Sequence, residues 1–118
     1  MTDFKHLKID EVGDVTVVQF RGHALHTAAE VYDLGQELRH VVVGEQRKKL
    51  VVIDFTSVAF LPSEVLGKLI SANHKLAGHG GALRLCNLAP EIQEIFQISR
   101  LDHIFDIRHD VEDALASL

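Results

Sequence analysis

Ser63 is the residue whose surroundings most suggest chemistry in this sequence. It follows an apolar segment that begins at Phe55, and it precedes a helical pattern. A serine nucleophile on a strand–turn–helix elbow needs glycine on either side, but Leu61 and Val65 occupy those positions here. No acid and base pair stands out either. We therefore predict no catalytic site and expect a protein that is not an enzyme.

A serine at a helix start has three other possible roles. It can cap the helix by accepting a hydrogen bond from a backbone amide. It can accept a phosphoryl group, because the unpaired amides and partial positive charge of a helix N-terminus tolerate a phosphate. It can also contact a partner without being modified. Thr56 and Ser57 are alternative phosphoryl acceptors, although residues of this type in a loop more commonly form its turn.

The other metal-ligating and phosphate-binding residue types form no recognisable site. Among eight histidines, His23 and His26 are close enough to share an ion, but the sequence has no His-Glu-x-x-His motif and no cysteine pair. We expect both to be exposed loop residues. Gly78, Gly80 and Gly81 lie between a helix and a strand, the reverse of a dinucleotide fingerprint. The sequence therefore predicts no metal and no cofactor.

The composition of the 118-residue chain argues against nucleic-acid binding. A net charge of −5, 6% aromatic residues and no tryptophan leave neither a basic surface nor the stacking rings that such binding requires. The one basic cluster, Arg47 to Lys49, precedes a strand and is typical of a solvated loop. Cys86, the only cysteine, ends an apolar run, where we expect a buried hydrophobe without a redox role.

The length and hydropathy of the chain predict one domain that does not enter a membrane. There is no run of about 18 apolar residues and no apolar leader after Met1, so we expect a cytoplasmic location. No stretch rich in proline, glycine or serine divides the chain. We accordingly expect a single domain over residues 1–118.

Hydrophobic periodicity predicts alternating strands and helices after an initial hairpin with a turn at Gly13 and Asp14. The spacing of Thr27 and Glu30 matches a capping box at a helix start. A continuous apolar run that Asp54 closes is typical of a central strand covered on both faces. The expected order is ββαβαβαβα, with strands at Leu7–Val12, Val15–Phe20, Leu50–Ile53, Ala82–Cys86 and Ile104–Ile107, and helices that begin near Thr27, Ser63, Pro90 and Asp110.

This order of elements predicts an α/β fold. A tight hairpin makes the first two strands antiparallel, whereas a helix between two strands lets them run parallel. We therefore expect a mixed sheet, antiparallel in the N-terminal hairpin and parallel thereafter, that packs against about four helices.

The connection between the central strand and the second helix resembles a known family. It has an acidic residue at the strand end, a short apolar loop, a serine at the helix start and a Leu-Gly pair within the helix. In this order the sequence is similar to STAS domains, and in particular to anti-sigma factor antagonists. The matching residues are Asp54, Val58, Phe60, Ser63, Leu66 and Gly67.

The likeness extends over nearly the whole chain and implies both a fold and a function. It implies one STAS domain that regulates bacterial transcription by binding proteins. In the family, the unphosphorylated antagonist binds an anti-sigma factor that is also a serine kinase, and phosphorylation of the helix-start serine by that kinase releases it. The resemblance thus makes Ser63 the phosphorylation site, and the implied partner-binding residues are Phe55, Thr56, Ser57, Val58, Phe60, Pro62, Ser63, Glu64 and Leu66.

The sequence departs from the family pattern close to this serine. Pro62 replaces an aspartate, Glu64 a second serine and Val65 a glycine, while Arg100 stands where the family often has glycine before Leu101. Glu64 places a negative charge beside an incoming phosphate. These changes favour an alternative, in which the unphosphorylated surface holds together a stressosome-like assembly or a transporter complex.

Overall fold

The computed structural model describes residues 4–21, 27–43 and 49–118. They contain a five-stranded sheet whose strand order follows the chain, and four helices, so the predicted α/β fold is confirmed. The elements are β1 (Leu7–Val12), β2 (Val15–Phe20), α1 (Ala28–Val43), β3 (Leu50–Asp54), α2 (Ser63–Gly78), β4 (Ala82–Cys86), α3 (Pro90–Ile98), a 3-10 turn (Leu101–His103), β5 (Asp106–Arg108) and α4 (Val111–Ala116).

The sheet has the predicted mixture of strand directions. β1 and β2 run antiparallel, and each later strand runs parallel to the one before it. The hairpin turns at Gly13, whose left-handed φ of 61° suits glycine. α1 begins in the expected capping box: the Thr27 N–H donates to Glu30 Oε1 at 3.0 Å, and the Glu30 N–H donates to Thr27 Oγ1 at 3.1 Å.

β3 is the central strand, and its alternate side chains enter two separate apolar clusters. Val51 and Ile53 join the larger cluster, which also includes residues of α1, α2 and α3. Val52 joins a smaller cluster on the opposite face with Ala114 of α4. Because both faces of β3 are covered, the strand has the continuous apolar sequence that identified it.

Cys86 belongs to the smaller cluster and is fully buried, as the sequence predicted. Burial raises the pKa of its thiol to about 12, and the nearby charges of Asp54 and Asp110 act in the same direction. The thiol therefore stays protonated at neutral pH and contributes to the fold as a small apolar group.

The last strand differs from the prediction, because β5 begins at Asp106 instead of Ile104. The N–H groups of Ile104 and Phe105 donate to the Leu101 carbonyl at 3.0 and 2.9 Å, so these backbones close a helical turn and cannot extend a strand. The Phe105 ring packs edge-on against Phe96, with centroids 5.7 Å apart. This contact holds the turn in the core, and the strand starts only after it.

Arg100 follows α3 in a left-handed conformation, with φ 59°. Its N–H donates to the Gln97 carbonyl at 3.1 Å, which closes the helix in the way that a glycine commonly does. A side chain in this conformation costs roughly 1–2 kcal/mol relative to glycine. Glycine, which has no Cβ atom, adopts this conformation without that cost.

Replacing Arg100 with glycine should therefore stabilise the protein. We expect Arg100→Gly to raise the free energy of unfolding by about 0.5–1 kcal/mol, since the relief of strain exceeds the added flexibility of the unfolded chain. Urea denaturation followed by circular dichroism measures the change. The matched control is Ser99→Gly, at an exposed neighbour with φ −82°, and it should lower stability. Equal losses in both variants would contradict the explanation.

Candidate functional site

The carboxylate of Asp54 joins three segments at the end of the central strand. Asp54 is only 4% exposed. Its Oδ2 accepts a hydrogen bond from the Gln19 side-chain amide at 2.8 Å, and its Oδ1 accepts one from the Asn87 amide at 2.9 Å. Oδ1 also accepts from the Thr56 N–H at 3.0 Å and from the Thr56 hydroxyl. One side chain thus connects β2, the start of the loop after β3, and the residue after β4.

These donors keep Asp54 charged despite its position. Burial by itself would raise the pKa of Asp54, because it penalises the ionised form. The hydrogen bonds from Thr56, Gln19 and Asn87 outweigh burial and hold the pKa of this carboxyl below its ordinary value. Asp54 is therefore an ionised anchor at neutral pH.

The sequence pattern indicated Asp54 but not its hydrogen-bond partners Gln19 and Asn87. Gln19 pairs with Asp54 in the register of β2 and β3, and Cys86, the residue before Asn87, pairs with Asp54 across β3 and β4. The carboxyl ends of parallel strands meet at one edge of a sheet. Polar residues at the ends of adjacent predicted strands were the signal that could have found the network.

Hydroxyl groups hold the beginning of the loop. The Thr56 hydroxyl donates to Asp54, and the Ser57 hydroxyl donates to the Phe20 carbonyl at 3.1 Å. The Val58 N–H donates to the Phe55 carbonyl at 2.9 Å and closes the turn. Thr56 and Ser57 thus form and anchor the turn, as the sequence suggested.

The apolar residues of the loop divide between core and surface. Phe55 is fully buried, with its ring centroid 5.2 Å from that of Phe20, and Val58 is also buried. Phe60 is 58% exposed. Phe55 and Val58 therefore support the loop from within the core. The implied contact residues that do reach the surface, here called the loop–helix surface, are Thr56, Ser57, Phe60, Pro62, Ser63, Glu64 and Leu66.

Ser63 is the first residue of α2, and Pro62 occupies the capping position with φ −61° and ψ 147°. No side chain caps this helix, so the interpretation of Ser63 as an N-cap is wrong. The reason is that Pro62 supplies the extended backbone of a cap, which moves Ser63 into the first turn. Its side chain is exposed and, within the described residues, its hydroxyl has no hydrogen-bond partner.

The amides at the start of α2 are partly unused. The Val65 N–H donates to the Pro62 carbonyl at 3.0 Å and is the first donor of the helix. The amides of Ser63 and Glu64 precede this bond, as the first amides of any helix do. They provide local positive potential beside an exposed hydroxyl.

Within the described part of the chain, no three histidine, cysteine, aspartate or glutamate side chains come together as possible metal ligands. His23 and His26 lie outside that part, and so do Arg47 and Lys48 of the basic cluster, whereas Lys49 is exposed. No helix in residues 4–21, 27–43 and 49–118 is long and apolar enough to cross a membrane.

Comparison with known proteins finds the same fold. The model of the STAS domain family matches residues 6–114. An anti-sigma factor antagonist from Mycobacterium paratuberculosis has a TM-score of 0.81 at 24% identity, over 94% of this chain and 91% of that one. The Bacillus cell fate determinant SpoIIAA in its phosphorylated form has a TM-score of 0.69 at 16% identity, over 94% of this chain and 97% of that one. A chain of the stressosome, a signal integration and transduction hub, has a TM-score of 0.71 at 23% identity, over 93% of this chain and 94% of that one.

Replacing the Asp54 carboxylate should destabilise the sheet edge. We expect Asp54→Asn to lower the free energy of unfolding by about 1–3 kcal/mol, because the new amide directs donors at the donors of Gln19 or Asn87. Chemical denaturation measures the loss. Asp10→Asn, at an exposed carboxylate of β1, is the control and should change stability by less than about 0.5 kcal/mol. Similar effects of both substitutions would show that the network contributes little.

The stability difference between the wild type and Asp54→Asn should depend on pH. Since the folded-state pKa of Asp54 is depressed, its charge contributes stability above the ordinary aspartate pKa of about 3.9. That contribution is lost as the pH falls through the folded-state pKa. The hydrogen bond from Arg108 also lowers the pKa of Asp106. Because Asp106 is present in both proteins, its contribution to the pH dependence of stability cancels in the difference. Denaturation between about pH 6 and pH 2 tests this, and a constant difference would contradict it.

Proposed function

The chain belongs to the STAS domain family, and we propose that it is an anti-sigma factor antagonist, a protein-binding regulator of bacterial transcription that acts in the cytoplasm. In this proposal it binds an anti-sigma factor of the serine kinase type through the loop–helix surface. The observation that carries the proposal is the exposed Ser63 hydroxyl in the first turn of α2, which has no hydrogen-bond partner among the described residues and lies close in sequence to the exposed ring of Phe60. The antagonist from Mycobacterium paratuberculosis, which shares the fold, supports it.

Phosphorylation of Ser63 would act as the release switch. A phosphate adds about −1.5 to −2 charges at pH 7, and the first amides of α2 can donate hydrogen bonds to its oxygens. The same charge would stand among Phe60, Pro62 and Leu66, where a bound partner would have to desolvate it. Binding and phosphorylation therefore oppose each other at one position. SpoIIAA, which shares this fold and has a phosphorylated form, supports a switch based on phosphate.

The hydrogen bonds of the loop favour Ser63 over the alternative acceptors. A kinase must reach the hydroxyl and remove its proton. The Thr56 hydroxyl is bonded to the Asp54 carboxylate, and the Ser57 hydroxyl is bonded to the Phe20 carbonyl. Transfer to either would break a bond that anchors the turn, whereas transfer to Ser63 breaks none in the described residues.

A second candidate function is that of an unphosphorylated scaffold, and Glu64 is the residue that favours it. Its carboxylate is exposed next to Ser63 and has no ion-pair partner among the described residues. A negative charge there opposes the arrival of a phosphate. The same surface would then hold a stressosome-like assembly or a transporter complex together permanently, and the similar stressosome chain supports this alternative.

The proposal is tested with wild-type, Ser63→Ala and Ser63→Asp proteins as baits in lysate of the native host. We expect a kinase-type anti-sigma factor to be captured by the wild type and by Ser63→Ala. With that partner purified, calorimetry should show at least about tenfold weaker binding of Ser63→Asp, which corresponds to about 1.4 kcal/mol. With Mg-ATP, mass spectrometry should find phosphate on Ser63 of the wild type.

The matched control adds the same charge elsewhere on α2. Ser71→Asp changes another exposed serine, eight positions later and about 12 Å along the helix axis, and it should bind like the wild type. If wild-type and Ser63→Asp baits capture the same non-kinase proteins and Ser63 never carries phosphate, the switch is refuted and the scaffold function takes its place.

A further inference from the structure

A groove of about 370 Å³ opens between the first turns of α1 and α2, next to the loop–helix surface. Ala28 and Tyr32 line it from α1, and Pro62 and Phe60 line it from the loop. Neither the predicted contact residues nor the phosphorylation proposal includes its α1 side. The groove therefore extends the exposed surface onto a second helix.

Two exposed aromatic rings distinguish the groove from ordinary surface. Tyr32 is 60% exposed and Phe60 is 58% exposed, although aromatic side chains release the most free energy when they leave water. Such rings concentrate at the centres of protein interfaces, where they dominate the binding energy. Their placement on the lining of one groove indicates a site for an apolar side chain between them.

Lys68 forms a charged wall of the groove. Its side chain lies across Gly35 of α1, where an added Cβ would come within 2.8 Å of the Lys68 Cδ and Cε atoms. This path carries the Nζ atom to 6.0 Å from the centroid of the Tyr32 ring. Lys68 as a residue is half-buried, and no carboxylate of the described residues pairs with its ammonium group. The side chain is thus positioned by Gly35 and Tyr32, and its charge has no anionic partner in that part of the chain.

Glu64 supplies the opposite charge on the same wall. It lies one helical turn before Lys68, lines the same groove, and forms no ion pair with it. Charges four residues apart lie about 6 Å apart along a helix axis. A helix in the groove that carries a carboxylate and a cation four residues apart can pair with both charges.

We propose that this groove determines partner specificity by binding an amphipathic helix of the anti-sigma factor. An apolar side chain of that helix inserts between Tyr32 and Phe60, its carboxylate pairs with Lys68, and its cation pairs with Glu64. Grooves between helices commonly take helices in this way, with apolar anchors one or two turns apart. The inference rests on the proposed docking function and identifies the part of the partner that the site recognises.

Peptide selection tests the groove independently of any native partner. A phage-displayed library of helical peptides, randomised on one face, is selected against the unphosphorylated full chain and against Lys68→Glu. We expect the wild type to select peptides with an apolar anchor and with acidic and basic residues four positions apart. Lys68→Glu should select a basic residue in place of the acidic one. Synthetic wild-type peptides should bind Lys68→Glu about tenfold more weakly, and a peptide with the matching charge reversal should recover that loss.

Two further variants separate position from charge. Gly35→Ala displaces the Lys68 chain while it favours the helix, so it should weaken peptide binding without loss of stability. Lys75→Glu changes a half-buried lysine two turns later, whose Nζ donates to Ser71 Oγ at 2.6 Å, and it should select the wild-type peptides.

Several outcomes would overturn the proposal. These are failure to enrich any peptide, selection of the same peptides by Lys68→Glu, or a dimer in sedimentation that Tyr32→Ala dissociates, since a second copy would then occupy the groove. Because the selection needs neither phosphate on Ser63 nor the native partner, its failure is distinguishable from failure of the switch.

Discussion

The sheet edge that carries the loop–helix surface depends on one buried carboxylate. Asp54 ends the central strand, and its oxygens accept hydrogen bonds from Gln19, from Asn87 and from Thr56. An uncompensated charge in that place would be expensive, so the donors must be present together. Since they come from β2, from the loop and from the residue after β4, their convergence fixes the carboxyl ends of three neighbouring strands relative to one another. The loop–helix surface is built on that frame.

The loop presents both a hydroxyl group and an apolar ring at the surface, because some of its residues enter the core while others stay exposed. Phe55 and Val58 enter the core and use the hydrophobic effect to hold the loop down. Phe60 and Ser63 remain exposed on the same segment. Pro62 contributes by setting the helix start, so the serine hydroxyl has no capping duty. A short segment anchored in the core thereby carries exposed polar and apolar side chains.

The fold was predictable from the sequence because its determinants are local. The run from Leu50 to Ile53, the capping box at Thr27 and the hairpin turn at Gly13 each report a structure formed by near neighbours. Residues whose roles depend on distant partners were harder to interpret. Gln19 and Asn87 became meaningful only when strand register placed them beside Asp54.

The same distinction explains the errors and omissions near the elements' ends. The start of β5 was misplaced because Phe105 packs on Phe96, a contact between separate elements that outweighs the β-pattern of its neighbours. The groove at Tyr32 was missed because its walls come from two helices, and neither helix reveals it alone. Serine is a common cap, and only the backbone angles of Pro62 show that Ser63 is released from that role.

The agreement between strand order and chain order has a consequence for the protein during its synthesis. Each strand adds to the edge left by the previous one, so the sheet can grow as the chain leaves the ribosome. Asn87, however, comes 33 residues after Asp54. A nascent chain therefore exposes Phe60 and Ser63 before the base of their loop is secured. Only a chain that has completed β4 can form the full hydrogen-bond network of Asp54, so the finished loop–helix surface appears only when the fold is complete.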